Sequence, residues 1–510
     1  MWSGLEAHIR RRSLQLIREH EAYAKSVSDE NKRRSRRSTQ TVELKEVLRP
    51  ESWSLNPGFD PYLTRPRAAA IAHAIEGALR SGSYAPRRPS GFLVPKSGGG
   101  TRTVTNFQIA DEVVSRRVFD QLRRRNSARF SARSFAYRHD ASPHDAIAYM
   151  KSEFRREHRL FVAEFDFSKF FDHVEHEHVL GAIDRLDLMV TPLELGIIRA
   201  FLSVQEPYMA TTDLTASAPP RTRGLPQGTS ISLFLANLAA AELDLELERV
   251  GVGFARYADD TVLWSSDFGR VTAAVEALYA ASDRIGVAIN SAKSPGIRVL
   301  TPGDVPRAEM RHTHTVDYLG HSVSTQGARI KQTSVGRIKA RIRQLVYDNL
   351  LREPLREAQV SARVIGTDRD YITLIYQLRR YMYGQLSESA VRRYATSAPP
   401  AHKFRGAMAF FPLVDDDDQL RELDGWLQHT LVIALKKRAR LLGHEAGASA
   451  ALASLTPDEL ITHVERSTSG SAVDTRVPSF VRMASAIRRG VQTYGLGSVP
   501  GSGSQYLYGD

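Results

Sequence analysis

The chain of 510 residues contains no cysteine. That removes disulfides, thiol catalysis and Cys-ligated zinc, and it fits a reducing compartment. No apolar run approaches the roughly 18 residues a membrane span needs. The first residues, MWSGLEAHIRRRS, lack the apolar core of a secretory signal. From these absences we expect a soluble, cytoplasmic protein without a membrane partner. Negative charge is in deficit too: 70 Lys and Arg against 57 Asp and Glu leave a formal charge of +13. Such an excess favours a polyanionic partner, nucleic acid first and acidic membrane second. Apolar residues make up 42%, enough for a folded core. The length points to more than one domain.

Residues 1 to about 45 are polar and basic, with Arg10, Arg11, Arg12, Lys32, Arg33, Arg34, Arg36 and Arg37 prominent. They read either as a solvated helical extension or as a phosphate-binding arm. A helix is expected after Pro66, and FLVPKSGGGTRTVTNF, alternating on both sides of three glycines, reads as a β-hairpin. Between about 160 and 325 strands alternate with helices: HRLFVAEFDF and VDYLGHSVS as strands, FARYADDTVLW as two strands around a tight turn, SISLFLANLAAAELDLELERV as one helix. That mixed order indicates an α/β or α+β layer. Beyond about 330 the spacing becomes helical, as in DYITLIYQLRRYMYGQLS and LDGWLQHTLVIALKKRARLL. The closing GLGSVPGSGSQYLYGD is Gly- and Ser-rich and reads as mobile.

Asp166 ends an apolar strand, and Asp259 and Asp260 sit at the turn of FARYADDTVLW. A hairpin turn pushes acidic side chains out of a rigid apolar frame. If the Asp166 strand lies beside that hairpin, three carboxylates converge, and their repulsion makes a divalent cation the natural occupant. Magnesium needs only a few such oxygen ligands. A pair of cations about 3.5–4 Å apart is the device that lets a 3′-hydroxyl attack an α-phosphate. Two other polar clusters have plainer readings. His173, Glu175, His176, Glu177 and His178 lack the spacing of a helical zinc pair, and Asp415 to Asp418 read as a solvated loop or helix start.

Seven blocks, in order from about residue 90 to 320, resemble those of prokaryotic reverse transcriptases. PKSGGGTR and FSARSFAYR resemble the finger blocks, DFSKFFD motif A, RGLPQGTSISLFLAN motif B, RYADD motif C, AINSAKS motif D and DYLGH motif E. The resemblance implies an α+β right-hand polymerase fold, with fingers and palm built on a mixed sheet and the YADD hairpin, then an α-helical thumb and a C-terminal helical domain. The implied boundaries are a basic helical extension over 1–60, fingers over 61–160, palm over 161–325, thumb over 326–400 and a helical appendage with a flexible tail over 401–510. It implies catalysis by Asp166, Asp259 and Asp260, and metal binding by Asp166, Phe167, Asp259 and Asp260. The metal is Mg2+, two ions, with Mn2+ as a substitute. Nucleotide contacts fall on Lys96, Arg102, Phe171, Gln227, Gly228 and Lys293. Phe171 would fill the space of a 2′-hydroxyl and favour deoxynucleotides. Glycines at 224 and 228 would let the backbone come close to the nucleotide. Lys293 would be an acid toward pyrophosphate.

After Gln227 and Gly228 this chain has Ser232-Leu233 where most members have Ser-Pro, a form that resembles the abortive-infection and other defence-associated reverse transcriptases. No zinc-type endonuclease block follows the palm. The helical C-terminus, with Arg379, Arg380, Lys436, Lys437, Arg438 and Arg440, reads either as a solvated face or as a grip on nucleic acid. The resemblance implies a role in anti-phage defence, DNA synthesis from dNTPs with or without an RNA template, a non-coding RNA partner and, in some members, a homo-oligomer. It also raises Tyr506 and Tyr508 as protein primers. The competing readings are a retron-like or group II intron-like enzyme and a catalytically inactive nucleic-acid-binding scaffold.

Overall fold

The computed structural model describes residues 4–95, 101–209, 219–303, 310–397, 400–466 and 470–501. Strands β1 (Ser90–Pro95) and β2 (Thr101–Asn106) pair antiparallel, Pro95 opposite Thr101, so the stretch around the three glycines is the expected hairpin. Five strands build the central sheet: β3 (Leu160–Asp166), β4 (Gly253–Tyr257), β5 (Asp260–Ser265), β6 (Gly296–Leu300) and β7 (His312–Thr313). Their order is β4-β5-β3-β6-β7. All neighbours are antiparallel except the parallel pair β6 and β7, so the sheet is mixed.

Burial alternates along β3 as a two-sided strand requires. Ala163 and Phe165 enter one core, shared with the helices Ile109–Arg125, Ser230–Ala239 and Phe268–Ile285. Leu160 and Val162 enter a second, with Phe154, Trp264 and Tyr318. The helices after residue 330 surround a third core that includes Ile342, Leu374, Leu378, Leu427, Leu431 and Phe480. An α+β layer followed by a helical body is therefore what the structure shows.

Four local expectations need correction. The stretch 316–324 is not one strand but a hairpin, β8 (Val316–Tyr318) and β9 (His321–Val323), joined by Leu319 and Gly320 at φ 45° and 80°. Positive φ at both central residues is the turn whose twist matches antiparallel strands. β10 (Ala328–Ile330) completes this small sheet. The helix expected over 230–250 breaks at Ala240, because its halves follow different partners: Ser230–Ala239 lies on Ile109–Arg125, and Ala241–Val250 on Phe268–Ile285. The C-terminal part is not wholly helical. β11 (Val464–Arg466) and β12 (Ala472–Asp474) pair there, and the Asp474 carboxylate is held by Arg379 and Arg476 at 2.8 and 2.7 Å. The start of the tail is docked, not mobile. Val499 is fully buried, Phe404 N–H donates to the Ser498 carbonyl at 2.8 Å, and His144 bonds the Pro500 carbonyl at 2.7 Å.

The basic N-terminus is a single helix, Leu5–Arg37, of 33 residues. At 1.5 Å per residue it spans roughly 50 Å. Leu5 and Ile9 at one end are buried in the first core. At the other end Arg37 is buried against Asp370, 2.9 Å away, in the helical body. The helix is thus neither a free arm nor simply solvated: both ends are packed, and Arg37 is removed from the set available to phosphate. Arg438 is removed likewise. It is fully buried, with Asp368 and Asp370 at 2.9 and 3.1 Å. Arg379 is committed to Asp474, while Arg380, Lys436, Lys437 and Arg440 remain exposed.

Candidate active site

β3 and β5 run side by side with Asp166 directly opposite Asp260. Tyr257 pairs with Asp260 across the β4–β5 hairpin, so Ala258 and Asp259 form its two-residue turn, with Ala258 at φ 59°. The register therefore brings Asp166, Asp259 and Asp260 to one end of the sheet. Their electrostatics follow from that crowding. Burial, and then the charges of Asp259, Asp166 and Glu164, push the Asp260 carboxyl up to about 7. Burial and the Asp166 charge also raise Asp259.

Lys293 donates to Asp166 Oδ2 at 2.8 Å, and Asn290 Nδ2 to the same oxygen at 3.2 Å. That hydrogen bond holds the Lys293 ammonium above its ordinary range. Among the described residues no three acidic or imidazole groups form a ready-made cation cage. Magnesium does not require one, because it is held by one or two carboxylates together with substrate phosphates. The Lys293 ammonium stands where the carboxylates call for positive charge. Phe167 has its ring buried against Phe170, centroids 5.4 Å apart, which leaves only its carbonyl as a conceivable ligand.

Phe171 follows on the short helix Phe170–His173, half-buried, its ring edge-on to Phe170 at 6.2 Å. Its carbonyl accepts from Leu225 N–H at 2.6 Å, which ties this helix to the Gly224–Gly228 loop. Gln227 Nε2 donates to Asp172 Oδ1 at 3.0 Å, a second tie. A Cβ on Gly228 would lie 1.9 Å from the Thr105 carbonyl oxygen, and one on Gly224 2.5 Å from that of Asp172. With φ at 91° and 78°, both positions accept only glycine without strain. Gly228 thus locks the loop against β2 of the β1–β2 hairpin. Helix Ser230–Ala239 starts without a proline because Thr229 caps it, accepting from Ser232 N–H at 3.3 Å, while Ser232 Oγ donates to the Pro226 carbonyl at 2.7 Å.

Lys96, Tyr506 and Tyr508 lie outside the described residues, and of Arg102 only its place in β2 is described. The His and Glu cluster is structural: His176 and His178 bond the carbonyls of Gly224 and Ala239 at 2.7 and 2.9 Å. Asp416 caps helix Asp417–Leu442, accepting from Gln419 N–H at 2.8 Å, and Asp415 pairs with Lys151 at 2.7 Å.

Three supporting residues escaped the sequence reading. Asn290 ties the motif D loop to Asp166 twice, through its side chain and through its N–H to the Asp166 carbonyl at 2.8 Å. Arg256, fully buried, donates to the Ala258 carbonyl at 2.9 Å and pairs with Asp244 at 2.5 Å, so it braces the acidic turn from behind. Tyr318 Oη donates to the carbonyls of Ala255 and Asp260, both at 3.2 Å. The only available signal was an arginine inside an otherwise apolar strand, FARY; the other two contacts are set by distant register.

The family model described as "Reverse transcriptase (RNA-dependent DNA polymerase)" matches residues 94–323. No curated protein matches the chain in sequence. Among solved structures, the chain is similar to an apo telomerase from Candida tropicalis truncated from the C-terminal domain. The identity is 11% and the TM-score 0.37, over 52% of this chain and 60% of that one. It is also similar to telomerases from Candida tropicalis and Candida albicans in complex with a TWJ fragment of telomeric RNA. Both are 12% identical, with TM-scores of 0.39 and 0.38, over 76% and 78% of this chain and 68% and 69% of those. No helix among the described residues is long and apolar enough to cross a membrane. Residues 94–323, a little under half of the chain, thus match the reverse transcriptase family.

Proposed function

We propose that this chain joins deoxynucleotides into DNA at Asp166, Asp259 and Asp260, copying RNA, and that it does so in anti-phage defence together with a non-coding RNA. The observation that carries the chemistry is the β3–β5 register, which sets Asp166 against Asp260 beside the Asp259 turn. The donor set suits hard cations: carboxylates only, two of them raised by burial and then by their neighbours' charge, with Asp166 bridged to a lysine. Asp166 and Asp259, with Asp260 beside them, would hold two Mg2+ ions, which supply charge neutralisation at the attacking and leaving oxygens.

The chain's own residues do the rest. Gly228 and Gln227 form a backbone shelf for the base to be copied, held from β2 and from Asp172. Phe171 occupies the sugar side of that shelf. Lys293, held in its charged form beside the acids, is the proton donor toward departing pyrophosphate. The defence role is supported by the Ser232-Leu233 form of motif B, which lies inside the helix Ser230–Ala239, and by the helical body that follows residue 330.

The test is incorporation of labelled dNTPs with magnesium, with and without copurified RNA. Asp259→Ala with Asp260→Ala is expected to lose at least about 10³-fold in rate, since the whole charge-stabilising set is removed. Incorporation equal to wild type would overturn the site. Loss of protection against phage in cells carrying this double variant tests the biological role. Phe171→Ala is expected to lower the preference for dNTPs over rNTPs by about 10–100-fold, the range that steric exclusion in a pocket provides. Unchanged discrimination in single-nucleotide competition assays would remove Phe171 as the gate.

A further inference from the structure

A cavity of about 690 Å³ lies between the N-terminal helix, the segment 48–59 and strand β2, and its floor is Gln227 and Gly228. Its size is in the range of pockets that enclose small-molecule ligands, about 300–1,000 Å³. The walls are aromatic. His20 and Trp53 pack edge to face at 5.1 Å, Tyr62 backs both at 6.1 and 5.9 Å, and Tyr23 and Phe92 stand at the mouth, 41% and 45% exposed. Cations flank them. Arg12 enters beside Glu112, and exposed Arg49 lies 5.7 Å from the Tyr62 ring centre. Gly228, Arg12 and Glu112 also border a second cavity of about 470 Å³, which reaches Tyr257 on the acidic hairpin. The two cavities meet at Gly228, Arg12 and Glu112, the first on the aromatic side and the second extending to Tyr257.

Half-exposed rings held by their own packing, with Arg12 and Arg49 beside them and the lining acids Glu19 and Glu112 on the N-terminal helix and the helix Ile109–Arg125, match one ligand chemistry. They fit an unpaired nucleobase with its phosphate. A duplex has no free base face to offer, since its bases already stack on each other. A strand that crosses Gly228 with one base toward Tyr257 would find the Trp53 and His20 cavity open to its next base. We infer that this cavity takes the unpaired base of the RNA template directly ahead of the one being copied, stacked on Trp53, so that the chain prefers templates that are single-stranded ahead of synthesis. This rests on the polymerase reading for the meaning of Gln227 and Gly228, but its test does not need polymerisation.

The experiment uses the full chain in EDTA without dNTPs, and an RNA template annealed to a DNA primer. 4-Thiouridine is placed at the first unpaired position ahead of the base to be copied. Irradiation of the wild-type protein is expected to crosslink that position to residues 48–59 or to the face of the N-terminal helix carrying Leu16, His20 and Tyr23. The same probe within the paired region is expected to give no crosslink there. In binding assays Trp53→Ala is expected to weaken the overhanging template about 10–100-fold and a blunt duplex not at all, with Trp53→Phe restoring affinity. A crosslink mapping elsewhere overturns the inference, as does a crosslink between two copies of the chain across this face. Equal affinity in Trp53→Ala and wild type does the same. An overhanging single-stranded DNA that binds as tightly as RNA would overturn the assignment to RNA. If the Trp53 effects appear but the wild type incorporates no dNTP, the polymerase reading fails and this one stands; the converse result fails this one alone.

Discussion

Asp260→Asn is expected to make the cation-free protein more stable while it impairs synthesis. Asp260 is raised to about 7 by burial and by the charges of Asp259, Asp166 and Glu164. In the unfolded chain it titrates near 4. The folded state therefore binds the proton more tightly, and the stability this provides is complete below about pH 4 and is lost as pH rises through 7. At pH 8 the wild type carries an ionised, crowded carboxylate that the variant lacks. A displacement of this size corresponds to at most about 4 kcal/mol, and partial exposure and relaxation reduce it to the order of 2 kcal/mol. Thermal melts in EDTA are expected to show the variant above the wild type at pH 8 and level with it at pH 4–5. Added Mg2+ is expected to raise the wild-type melting temperature at pH 8 and leave the variant nearly unmoved. A variant less stable than wild type at pH 8 in EDTA would show that Asp260 is held by contacts stronger than its repulsion.

Arg438→Ala is expected to destabilise the helical body by about 3–5 kcal/mol, the usual result of leaving buried charge without its partner. Arg438 donates to Asp368, Asp370 and the Leu350 carbonyl, the last at 2.8 Å. Asp370 is shared with Arg37 and with Arg363, at 2.9 and 2.6 Å. Burial works to raise Asp370, but the bond from Arg363 and the charges of Arg37 and Arg438 outweigh it and hold the carboxyl below its ordinary range. Loss of Arg438 leaves buried Asp368 without this counter-charge, while Asp370 keeps Arg37 and Arg363. Denaturant titration of the intact chain measures the effect. The contrast is with Lys436→Ala and Lys437→Ala, which are exposed neighbours on the same helix. These are expected to leave stability unchanged. If that helix face meets nucleic acid, each lowers the salt dependence of RNA binding by about one counterion. Reduced RNA binding by Arg438→Ala without loss of stability would contradict its burial.

Chemistry was easier to read than position. An Asp at a turn is by itself an ordinary turn residue; Asp166, Asp259 and Asp260 are legible because they stand in an ordered set of blocks resembling those of reverse transcriptases, and local alternation identifies β3, β4 and β5 around them. The hairpin at Leu319-Gly320 was missed because two residues of positive φ inside an alternating run leave the pattern of a single strand intact. The mobile reading of the tail fails at Val499, buried in the core of the helical body, and at Ser498, whose carbonyl accepts from Phe404 N–H nearly a hundred residues earlier. Arg37 and Arg438 were read as surface cations because a basic residue on a helix is usually solvated. Only the fold shows that Asp368 and Asp370 are waiting for them.

By itself the sequence determined the elements with short-range causes: amphipathic helices, alternating strands, the YADD turn with its acids, and the glycine positions of the Gly224–Gly228 loop. The tertiary structure alone decided which distant groups meet. It put Asn290 and Lys293 on Asp166, Arg256 behind the acidic turn, and Trp53 beside His20 above Gln227 and Gly228. The physical reason is range. Backbone propensity and periodicity act over a few residues and leave their mark in the order of amino acids. Register between strands, and the pairing of charges hundreds of residues apart, are set by packing the whole chain.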